Sequence, residues 1–531
     1  MHKRKGIFVI LLTGLLLAGC ANSEKTVRET DAKEVETGTN SDFSEAETTE
    51  QMIKETSEMK ALNSVKNPME HNPLITHKYS ADPYAMVYDG RVYLYMTGDE
   101  TMYEADGTIK KNNYSNIDTI RVISSEDLVN WTDHGDIFAA GKNGQATWGN
   151  NSWAPAACWK MIDGKPKFFL YFANSGNGIA VLTSDSPTGP FVDPLGEAIV
   201  SRKTPTCAEV TWLFDPAVLV DEDGTGYLYF GGGIPSDDKI SNPGTARVAK
   251  LTDDMIHLDG DPKPMENVLY LFEDSGINKV GDKYIYSYCS NFNVPPSGCE
   301  GYGFGSGEII QMAGDSPMGP FKTVGSILKN PEFFFKNGGN NHHCMFEFKD
   351  KWYVTYHASL IEEKAGVNDG YRSVNIDSID INEDGVFAVA RGTKEGVEQL
   401  QNLDPFKTVS FSTMSNEAGI KTVPADDITA QNGVGNTNLL VEEDGAFIQL
   451  TNVEFGDGAT SIDITLKAKT DGAVSVRIKY PNGEETASLV FKASEDFVTY
   501  EVEFSAPVKG VENLFFVFEG VGTELKEWKC K

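Results

Sequence analysis

The stretch ADPYAMVYDGRVYLYM at residues 81–96 decides the fold. Small or polar residues at its start, which we call its head, lead into a turn and then into an aromatic-rich strand. Four further segments repeat this organisation, with heads roughly 60 to 70 residues apart: 154–172, 214–230, 272–288 and 342–357. A single hairpin of this kind cannot bury its own apolar face, so evenly spaced copies are typical of repeat proteins. The spacing predicts an all-β, five-bladed β-propeller whose blade heads meet around one axis.

Two nearly identical turns support the repeat. The segment DSPTGPF at residues 185–191 recurs as DSPMGPF at residues 315–321, about two blades later. Pro and Gly favour a tight turn in each copy. We expect the closing Phe191 and Phe321 to insert between neighbouring blades.

A second domain is predicted after the repeat pattern ends near residues 401–413. Short runs of alternating residues follow, such as SIDITL at 461–466 and LFFVF at 514–518, separated by turn signals. Period-two alternation at this spacing is typical of a β-sandwich. We therefore expect a propeller over residues 67–403 and a β-sandwich, of jelly-roll type, over residues 414–531.

The start of the chain predicts an export signal. A positive KRK at residues 3–5 precedes an apolar run over residues 6–17, which is too short to span a bilayer as a mature helix. The run ends in LAGC and resembles a bacterial lipobox, which implies removal of residues 1–19 as a signal peptide and lipidation of Cys20. Two or more acyl chains would anchor the protein stably. An ordinary secretory signal with an incidental cysteine is the alternative.

Residues 20–66 are rich in Glu, Thr, Ser and Asp and almost lack aromatic residues. This composition cannot bury enough apolar surface to fold, so it predicts a disordered acidic tether. The whole chain has a formal net charge of −32, which argues against nucleic acid as a partner because phosphate binding needs a basic face. We expect an extracytoplasmic protein that is lipid-anchored to the cell membrane or cell surface.

The remaining six cysteines are spread along the chain without the spacing of a metal site. Cys289 and Cys299 are close enough in sequence to pair across a loop in an oxidising compartment. Buried free thiols are an equal alternative.

Three of the five predicted blade heads carry an acid: Asp82, Asp215 and Glu273. Acetal hydrolysis needs one carboxylic acid to protonate the leaving oxygen and one carboxylate to activate water, about 6.5–9.5 Å apart in inverting enzymes. The first and fourth heads are not adjacent in a ring of five, so Asp82 and Glu273 should face each other across the axis. The pattern therefore predicts a catalytic pocket as well as a fold.

Five motifs in this order connect the chain to a known family: NPLITHK at 72–78 leading into ADP at 81–83, SWAP at 152–155, FDP at 214–216, FE at 272–273, and His342 ahead of KWYVTYH. With them, residues 67 to about 403 resemble glycoside hydrolase family 43, most closely its arabinoxylan-arabinofuranohydrolase members. The resemblance covers the whole predicted propeller. It implies that the substrate is a pentose-containing polysaccharide or oligosaccharide.

The resemblance implies a role for each acid. Asp82 is the implied general base and Glu273 the general acid, while Asp215 raises the pKa of the acid and orients it. In many family members the acid is followed by Gly-Pro, whereas Glu273 is followed by Asp274. We expect Asp274 either to raise the pKa of Glu273 further or to face solvent, and Glu266 is the alternative acid.

Further residues are implied to act around the acids. His342 would lie near the axis and help to hold a water-bound calcium or other ion, although calcium prefers oxygen ligands. His343 is the alternative, and no cofactor is otherwise required. Arg372 would reach the sugar in the cleaved subsite. Trp153 would stack on the sugar ring unless it is a buried blade aromatic, and Trp148 is a weaker candidate.

Residues 414–531 resemble a family 6 carbohydrate-binding module, chiefly through NVEFGDGA at 452–459 and the LFFVF run. Such modules hold sugar between two aromatic rings, helped by an asparagine near the last strand. Phe497 and Tyr500 match one aromatic region, but the partner region NLLV at 438–441 has none. We therefore expect a packing or weakly binding domain.

Together these features predict an inverting hydrolase that releases terminal α-L-arabinofuranosyl residues from arabinoxylan or a related plant cell-wall polysaccharide. A β-xylosidase, or an endo-acting arabinanase or xylanase, on the same fold is the alternative, since pocket depth and loop shape separate these activities. A glycan-binding lipoprotein without catalysis and a structural surface protein are two further classes. Neither of these two classes explains why three of the heads carry an acid.

Overall fold

The computed structural model describes residues 64–425 and 437–531 of the chain. The predicted signal peptide at residues 1–19, the lipidation site Cys20 and nearly all of the predicted tether lie outside the described residues.

The folded part begins before residue 66, where the tether was expected to end. Lys66 is buried, and its ammonium group donates to the carbonyl oxygens of Leu74 and Ser415 at 3.2 and 2.6 Å. Burial lowers the pKa of Lys66 to about 8. The polar composition of this segment gives no sign of these contacts, because its partners are far away along the chain.

Five antiparallel sheets follow one another between residues 80 and 378. The first contains β1 (Ser80–Tyr88), β2 (Arg91–Gly98), β3 (Thr119–Ser125) and β4 (Trp131–Phe138). The second contains β5 (Trp153–Ile162), β6 (Lys165–Ala173), β7 (Gly178–Ser184) and β8 (Val200–Ser201). The third contains β9 (Ala217–Val220), β10 (Gly226–Phe230), β11 (Arg247–Lys250) and β12 (Lys263–Pro264). The fourth contains β13 (Leu271–Val280), β14 (Lys283–Ser290), β15 (Ile309–Gly314) and β16 (Lys322–Leu328), and the fifth contains β17 (His343–Phe348), β18 (Lys351–Ala358) and β19 (Ser373–Ser378).

The first strands of the five sheets form a closed ring. Strand β1 contacts β5, β5 contacts β9, β9 contacts β13, β13 contacts β17, and β17 contacts β1 again. Each of these strands begins within three residues of one of the predicted heads. The ring therefore brings residues from 82 to 342 to one end of a common axis.

The two repeated turns are attached to the preceding sheet in the same way. The hydroxyl of Tyr95 in β2 donates to the carbonyl oxygen of Pro187, and that of Tyr229 in β10 donates to Pro317. Phe191 and Phe321 at the ends of the turns are buried and lie 6.5 and 6.0 Å, between ring centroids, from tyrosines of β2 and β14 respectively. Phe191 thus packs against the neighbouring sheet, as expected, whereas the ring nearest Phe321 belongs to its own sheet.

Twelve strands follow residue 408 in the described part of the chain: β20 (Val409–Ser410), β21 (Thr413–Met414), β22 (Asn416–Ala418), β23 (Ile420–Pro424), β24 (Thr437–Val441), β25 (Ala446–Glu454), β26 (Ala459–Ala468), β27 (Gly472–Ile478), β28 (Glu485–Phe491), β29 (Ser494–Val508), β30 (Val511–Glu519) and β31 (Glu524–Cys530). Most of them form two sheets, ordered β23-β24-β31-β26-β29, with β20 on β31, and β22-β25-β30-β27-β28. Their inner faces share one apolar core, which includes Phe411, Phe516 and Trp528.

The C-terminal sheets are joined to the ring of sheets by backbone pairing and by buried charges. Strand β21 pairs with β4, so it extends the first sheet rather than a C-terminal one. Beside it, the imidazole of His77 lies 2.9 Å from Asp133 through Nε2 and 2.9 Å from Glu417 through Nδ1. All three side chains are almost completely buried.

The described residues contain two short α-helices, α1 (Pro331–Phe335) and α2 (Leu360–Ala365). Neither is long enough to cross a membrane. All six cysteines of the described residues are buried free thiols, including Cys289 and Cys299.

Candidate active site

The heads of the ring strands share an uncommon backbone conformation. Asp82, Ala154, Asp215 and Asp274 all lie in the left-handed region, with φ between 40° and 67°. A β-bulge accompanies this conformation in β1, β5 and β13. Non-glycine residues rarely adopt it, because it costs free energy. A bulge redirects side chains at a strand end, and here it turns the heads toward the axis.

The bulges correct one detail of the predicted heads. Glu273 was matched with Asp82 and Asp215, but the left-handed residue of the fourth sheet is Asp274. Glu273 therefore lies one residue before the equivalent position. A one-residue shift of this kind changes the backbone and not the residue pattern, so the sequence does not reveal it.

A pocket of about 260 Å³ lies at the head end of the ring and is lined by residues in or just before strands of all five sheets. Six of its lining residues were singled out from the sequence: Asp82, Trp153, Asp215, Glu273, His342 and Arg372. The other six are Tyr114, Ile117, Ala154, Phe214, Phe272 and Asn340. All five ionisable members of the first group are less than a tenth exposed.

Asp82 is held as a carboxylate. Its Oδ1 accepts a hydrogen bond from Nη1 of Arg372 at 2.9 Å, and its main-chain N–H donates to Nδ1 of His357 at 3.2 Å. Burial alone would raise the pKa of Asp82, but the charges of Arg372 and His342 outweigh it and hold the pKa well below its usual range. The group is therefore ionised at neutral pH, as a general base must be.

Glu273 has the opposite environment. Burial, followed by the charge of Asp215, raises the pKa of Glu273 well above its usual range. Its Oε1 is buried without a hydrogen-bond partner among the described residues. A protonated carboxyl group with a free oxygen at a pocket suits a general acid, because a substrate oxygen can supply the missing partner.

A chain of ion pairs supports the two carboxyl groups. His342 faces Asp215 through Nε2 at 3.2 Å and Asp274 through Nδ1 at 2.9 Å. Burial opposes its protonation, but Asp274, Asp82 and Asp215 raise the pKa of His342 well above its usual range. Asp274 is completely buried and does not face solvent, and its charge contributes to the raised pKa of Glu273.

The histidine doublet is also resolved by the structure. His342 lines the pocket, whereas His343 points away from it, with Nδ1 paired to Asp274 and Nε2 2.8 Å from Oγ of Ser287. His343 therefore supports Asp274 from behind. The first histidine of the pair is the pocket residue.

The described side chains around His342 do not form a set of direct ligands for the predicted ion. Within residues 64–425 and 437–531, no cluster of three or more His, Cys, Asp or Glu side chains is arranged to hold a metal ion. Both ring nitrogens of His342 face carboxylate oxygens, so the ring pairs with anions rather than presenting a lone pair. Direct coordination does not fit these residues, and an ion bound through water stays a prediction.

Arg372 is fixed by a partner that the sequence did not suggest. Asp99 accepts hydrogen bonds from its main-chain N–H, from Nε and from Nη2 at 3.2, 2.9 and 2.8 Å. The two residues are separated by 273 positions, so no spacing pattern links them. This fork leaves Nη1 of Arg372 for Asp82 and fixes the guanidinium at the wall of the pocket.

Two alternative candidates lie elsewhere. The indole of Trp148 donates to Asp193 at 2.8 Å and packs against the apolar core of the first two sheets. Glu266 is exposed in the loop after β12 and does not line the pocket. Trp153 does line the pocket, and its Nε1 donates to the carbonyl oxygen of Tyr114 at 3.1 Å.

Comparison with known proteins agrees with this geometry. Residues 70–387 match the model of glycosyl hydrolases family 43. An arabinoxylan arabinofuranohydrolase of Paenibacillus polymyxa is 46% identical over 472 residues, which cover 86% of this chain and 73% of that protein. One of Bacillus subtilis strain 168 is 44% identical over 474 residues, which cover 85% of this chain and 90% of that protein.

Solved structures point the same way. The crystal structure of a family 43 arabinoxylan arabinofuranohydrolase from Bacillus subtilis in complex with cellotetraose superposes with a TM-score of 0.83 at 41% identity, covering 88% of this chain and 99% of that one. The family match spans more than half of the chain and includes Asp82, Asp215 and Glu273. The chain belongs to glycosyl hydrolases family 43.

Proposed function

We propose that this protein is an inverting glycoside hydrolase that removes terminal α-L-arabinofuranosyl residues from arabinoxylan or a related plant polysaccharide. The observation that carries the proposal is the pocket in which Asp82 and Glu273 lie together with opposite protonation states. The substrate follows from the two relatives above, each named for action on arabinoxylan. A pocket of about 260 Å³ suits one sugar residue rather than a continuous chain.

In the proposed mechanism, the acid and base act in one displacement. Glu273 gives its proton to the glycosidic oxygen as the bond from that oxygen to the anomeric carbon breaks and its electron pair moves to the oxygen. A water molecule attacks the anomeric carbon from the opposite face and passes a proton to Asp82. The product has the inverted configuration, and proton exchange with solvent restores both carboxyl groups. Only carboxyl groups and water take part.

The neighbouring residues keep the two groups in these states. Asp215 raises the pKa of Glu273 and accepts a hydrogen bond from the main-chain N–H of Asp274 at 2.9 Å, which fixes the backbone next to the acid. Arg372 keeps Asp82 ionised and places donors near the sugar. Trp153 gives the pocket an apolar wall on which a sugar ring can stack.

We also propose the finer architecture that the sequence predicts. The closed contacts among β1, β5, β9, β13 and β17 support a five-bladed propeller over residues 67–403. The two facing sheets with a shared core support a β-sandwich over residues 414–531, similar to family 6 modules. Strand β21 on the first sheet blurs this boundary by a few residues.

We propose that the β-sandwich serves mainly as a packing domain and does not bind sugar tightly. Tyr500 packs against the core of the sandwich, and the ring of Phe497 lies 4.6 Å from Nζ of Lys467. Asn438 donates to Glu524 at 2.7 Å, in the region where a second aromatic ring would be needed. A single aromatic ring would bind sugar much more weakly than two rings that enclose it.

Attachment to the bacterial membrane through Cys20 remains part of the proposal and rests on the sequence alone. It would hold the hydrolase at the cell surface, where polysaccharide is found. Metabolic labelling with a fatty acid analogue tests it, since Cys20→Ser should abolish incorporation. Equal labelling of both proteins would show that Cys20 is not the site.

Product analysis tests the activity. The protein should release arabinose from arabinoxylan and leave the xylan chain at its original length. Glu273→Gln should remove this activity. Glu266→Gln, which changes an exposed glutamate in the loop after β12, should retain it. Release of xylose, or shortening of the chain, would assign the protein to the β-xylosidase or endo-acting alternative.

A further inference from the structure

A long loop lies at the mouth of the pocket, and only its first residue, Asp99, has been given a role above. It connects β2 to β3 over residues 99–118 and carries Tyr114, which lines the pocket and is 37% exposed. Tyr114 has a left-handed backbone, with φ of 59°, and its N–H donates to Oδ1 of Asn112 at 2.9 Å. The loop is thus shaped locally to present this one ring.

The loop is fastened to the fifth sheet by a buried tyrosine. The hydroxyl of Tyr371 accepts the N–H of Met102 and donates to the carbonyl oxygen of Lys110, both at 2.9 Å. The N–H of Asn112 donates to the carbonyl oxygen of Asp369 at 2.7 Å. These bonds hold both arms of the loop against the turn that precedes Arg372.

The turn itself is held from below. Both carboxylate oxygens of Glu362 accept main-chain N–H groups, from Asp369 at 2.9 Å, Gly370 at 3.2 Å and Tyr371 at 3.1 Å. A Cβ atom at Gly370 would lie 3.6 Å from the hydroxyl of Tyr114. The hydroxyl end of Tyr114 therefore lies close to this turn.

Tyr114 contacts both residues that would hold the sugar. Its ring centroid is 5.1 Å from Cζ of Arg372, in cation–π contact, and its carbonyl oxygen accepts the indole N–H of Trp153 at 3.1 Å. The loop therefore sets the distance between the guanidinium and the indole, which are two walls of the pocket.

We propose that Tyr114 is a specificity-determining residue that narrows the pocket to a terminal furanoside, and that Tyr371 is the positioning residue that holds it there. The inference rests on the proposed function and extends it. Arabinofuranosyl and xylopyranosyl groups contain the same atoms but differ in shape, since the five-membered ring carries its C5 hydroxymethyl outside the ring. A fixed wall at Tyr114 can therefore favour one shape over the other. Removal of the Tyr114 ring would enlarge the pocket and uncover the face of the Arg372 guanidinium. The main-chain carbonyl that accepts from Trp153 and the bonds of Arg372 to Asp99 and Asp82 would remain.

The test compares two aryl glycosides, 4-nitrophenyl α-L-arabinofuranoside and 4-nitrophenyl β-D-xylopyranoside. The ratio of their kcat/KM values should fall about tenfold in Tyr114→Ala, the size expected for a lost apolar contact in a pocket. The change should lie mainly in KM of the arabinofuranoside. Tyr114→Phe, which keeps the ring, should retain the ratio.

Two further variants distinguish the specific effect of the Tyr114 ring from a general disturbance of the loop. Tyr371→Phe keeps its ring but loses both hydrogen bonds to the loop, and should shift the ratio in the same direction by a smaller factor. Tyr103→Ala changes a 64% exposed tyrosine of the same loop and should leave both substrates unaffected. An unchanged ratio in Tyr114→Ala would overturn the assignment of Tyr114, and an unchanged ratio in Tyr371→Phe would overturn the positioning role of Tyr371.

The proposed function is tested separately by the wild-type protein. A wild-type preference for the xylopyranoside would refute the assigned sugar, and the role of Tyr114 would then be refuted if its removal left that preference intact.

Discussion

Asp82 and Glu273 are both buried carboxyl groups in one pocket, yet their environments push their pKa values in opposite directions. Arg372 and His342 outweigh burial at Asp82, whereas burial and Asp215 act together at Glu273. A pair separated in this way can serve as base and acid at the same pH. The residue-scale predictions follow from this contrast.

Replacement of the acid should depend on the leaving group. We expect Glu273→Ala to lower kcat/KM on arabinoxylan by about 10²–10⁴-fold, the usual contribution of a general acid. The loss should be smaller on aryl arabinofuranosides with acidic phenols, which need little protonation. Steady-state kinetics on both substrates measure the difference, and an equal loss on both would show that Glu273 is not the acid.

The pH profile should report the effect of Asp215 on Glu273. The negative charge of Asp215 raises the pKa of Glu273, so Asp215→Asn should make the acid easier to ionise. The alkaline limb of the kcat/KM profile should therefore move to lower pH. Asp185→Asn, which removes an exposed carboxylate, should leave the limb in place. A shift to higher pH in Asp215→Asn would contradict the account.

Half of the pocket residues were accessible from the sequence, chiefly because they stand in short motifs at the heads of repeated strands. Asp82, Asp215 and Glu273 needed only the repeat and the family resemblance. Asp99 and Tyr114 were missed, because a residue in an irregular loop has no periodic signal and its partners lie far along the chain. An acid directly after the aromatic strand β2 is the one hint that Asp99 offered.

At the scale of elements, the bulged head of β13 is the feature that places the acid. Gly276 follows the bulge, and a Cβ atom there would collide with Oγ of Ser287 and lie 3.0 Å from Nε2 of His343. Both atoms belong to the hydrogen-bonded chain behind Asp274. A side chain at Gly276 would therefore disturb both strand β13 and the residues behind the pocket.

We expect Gly276→Ala to lower the free energy of unfolding by about 1–3 kcal/mol through overpacking and to reduce kcat. Urea unfolding followed by tryptophan fluorescence gives the first value. Gly339→Ala is a suitable control, since a Cβ atom there meets nothing within 4 Å, and its unfolding free energy should change by less than about 0.5 kcal/mol. Equal behaviour of the two variants would refute the predicted clash.

Element positions were predicted better than their exact register. The five hairpins and the alternating C-terminal strands appear where the residue periodicity placed them. The one-residue shift between Glu273 and Asp274 was not foreseen, because a bulge alters backbone angles without changing composition. The short strands β20 and β21 were also unforeseen, since two-residue pairings leave no periodic signal.

At the scale of the whole molecule, buried charges join the ring of sheets to the C-terminal sheets. Burial opposes protonation of His77, but Asp133 and Glu417 outweigh it and raise its pKa. Glu417 is likewise buried, and His77 and Lys66 lower its pKa to about 2. The interface therefore depends on charge as well as on apolar contact. The sequence does not predict this pairing, because the charged residues are far apart along the chain.

Removal of this histidine should destabilise the protein strongly. His77→Ala leaves Asp133 and Glu417 buried without a shared partner, and breaking such a pair costs about 3–5 kcal/mol. Thermal unfolding measures the loss. His257→Ala, which removes a half-exposed histidine paired with Asp254, should have little effect. Similar melting temperatures for both variants would contradict the role of the buried cluster.

The same cluster gives a pH dependence with a defined sign. The folded-state pKa of His77 is raised, so its contribution is complete below the unfolded pKa of about 6.5 and is lost as pH rises through the folded value. The contribution of Glu417 is complete above the unfolded pKa of about 4.3 and is lost as pH falls toward its folded pKa of about 2. The difference in unfolding free energy between wild type and His77→Ala should therefore shrink at alkaline pH. A difference that grows there would contradict this sign.

The central claim is that Asp82 and Glu273 hydrolyse an arabinofuranoside with inversion, and a proton NMR time course with arabinoxylan tests it most directly. The anomeric signals of the first product, read before mutarotation, should be those of free β-arabinofuranose released from α-linked side chains. Retention of the α configuration, or release of xylose in place of arabinose, would contradict the account.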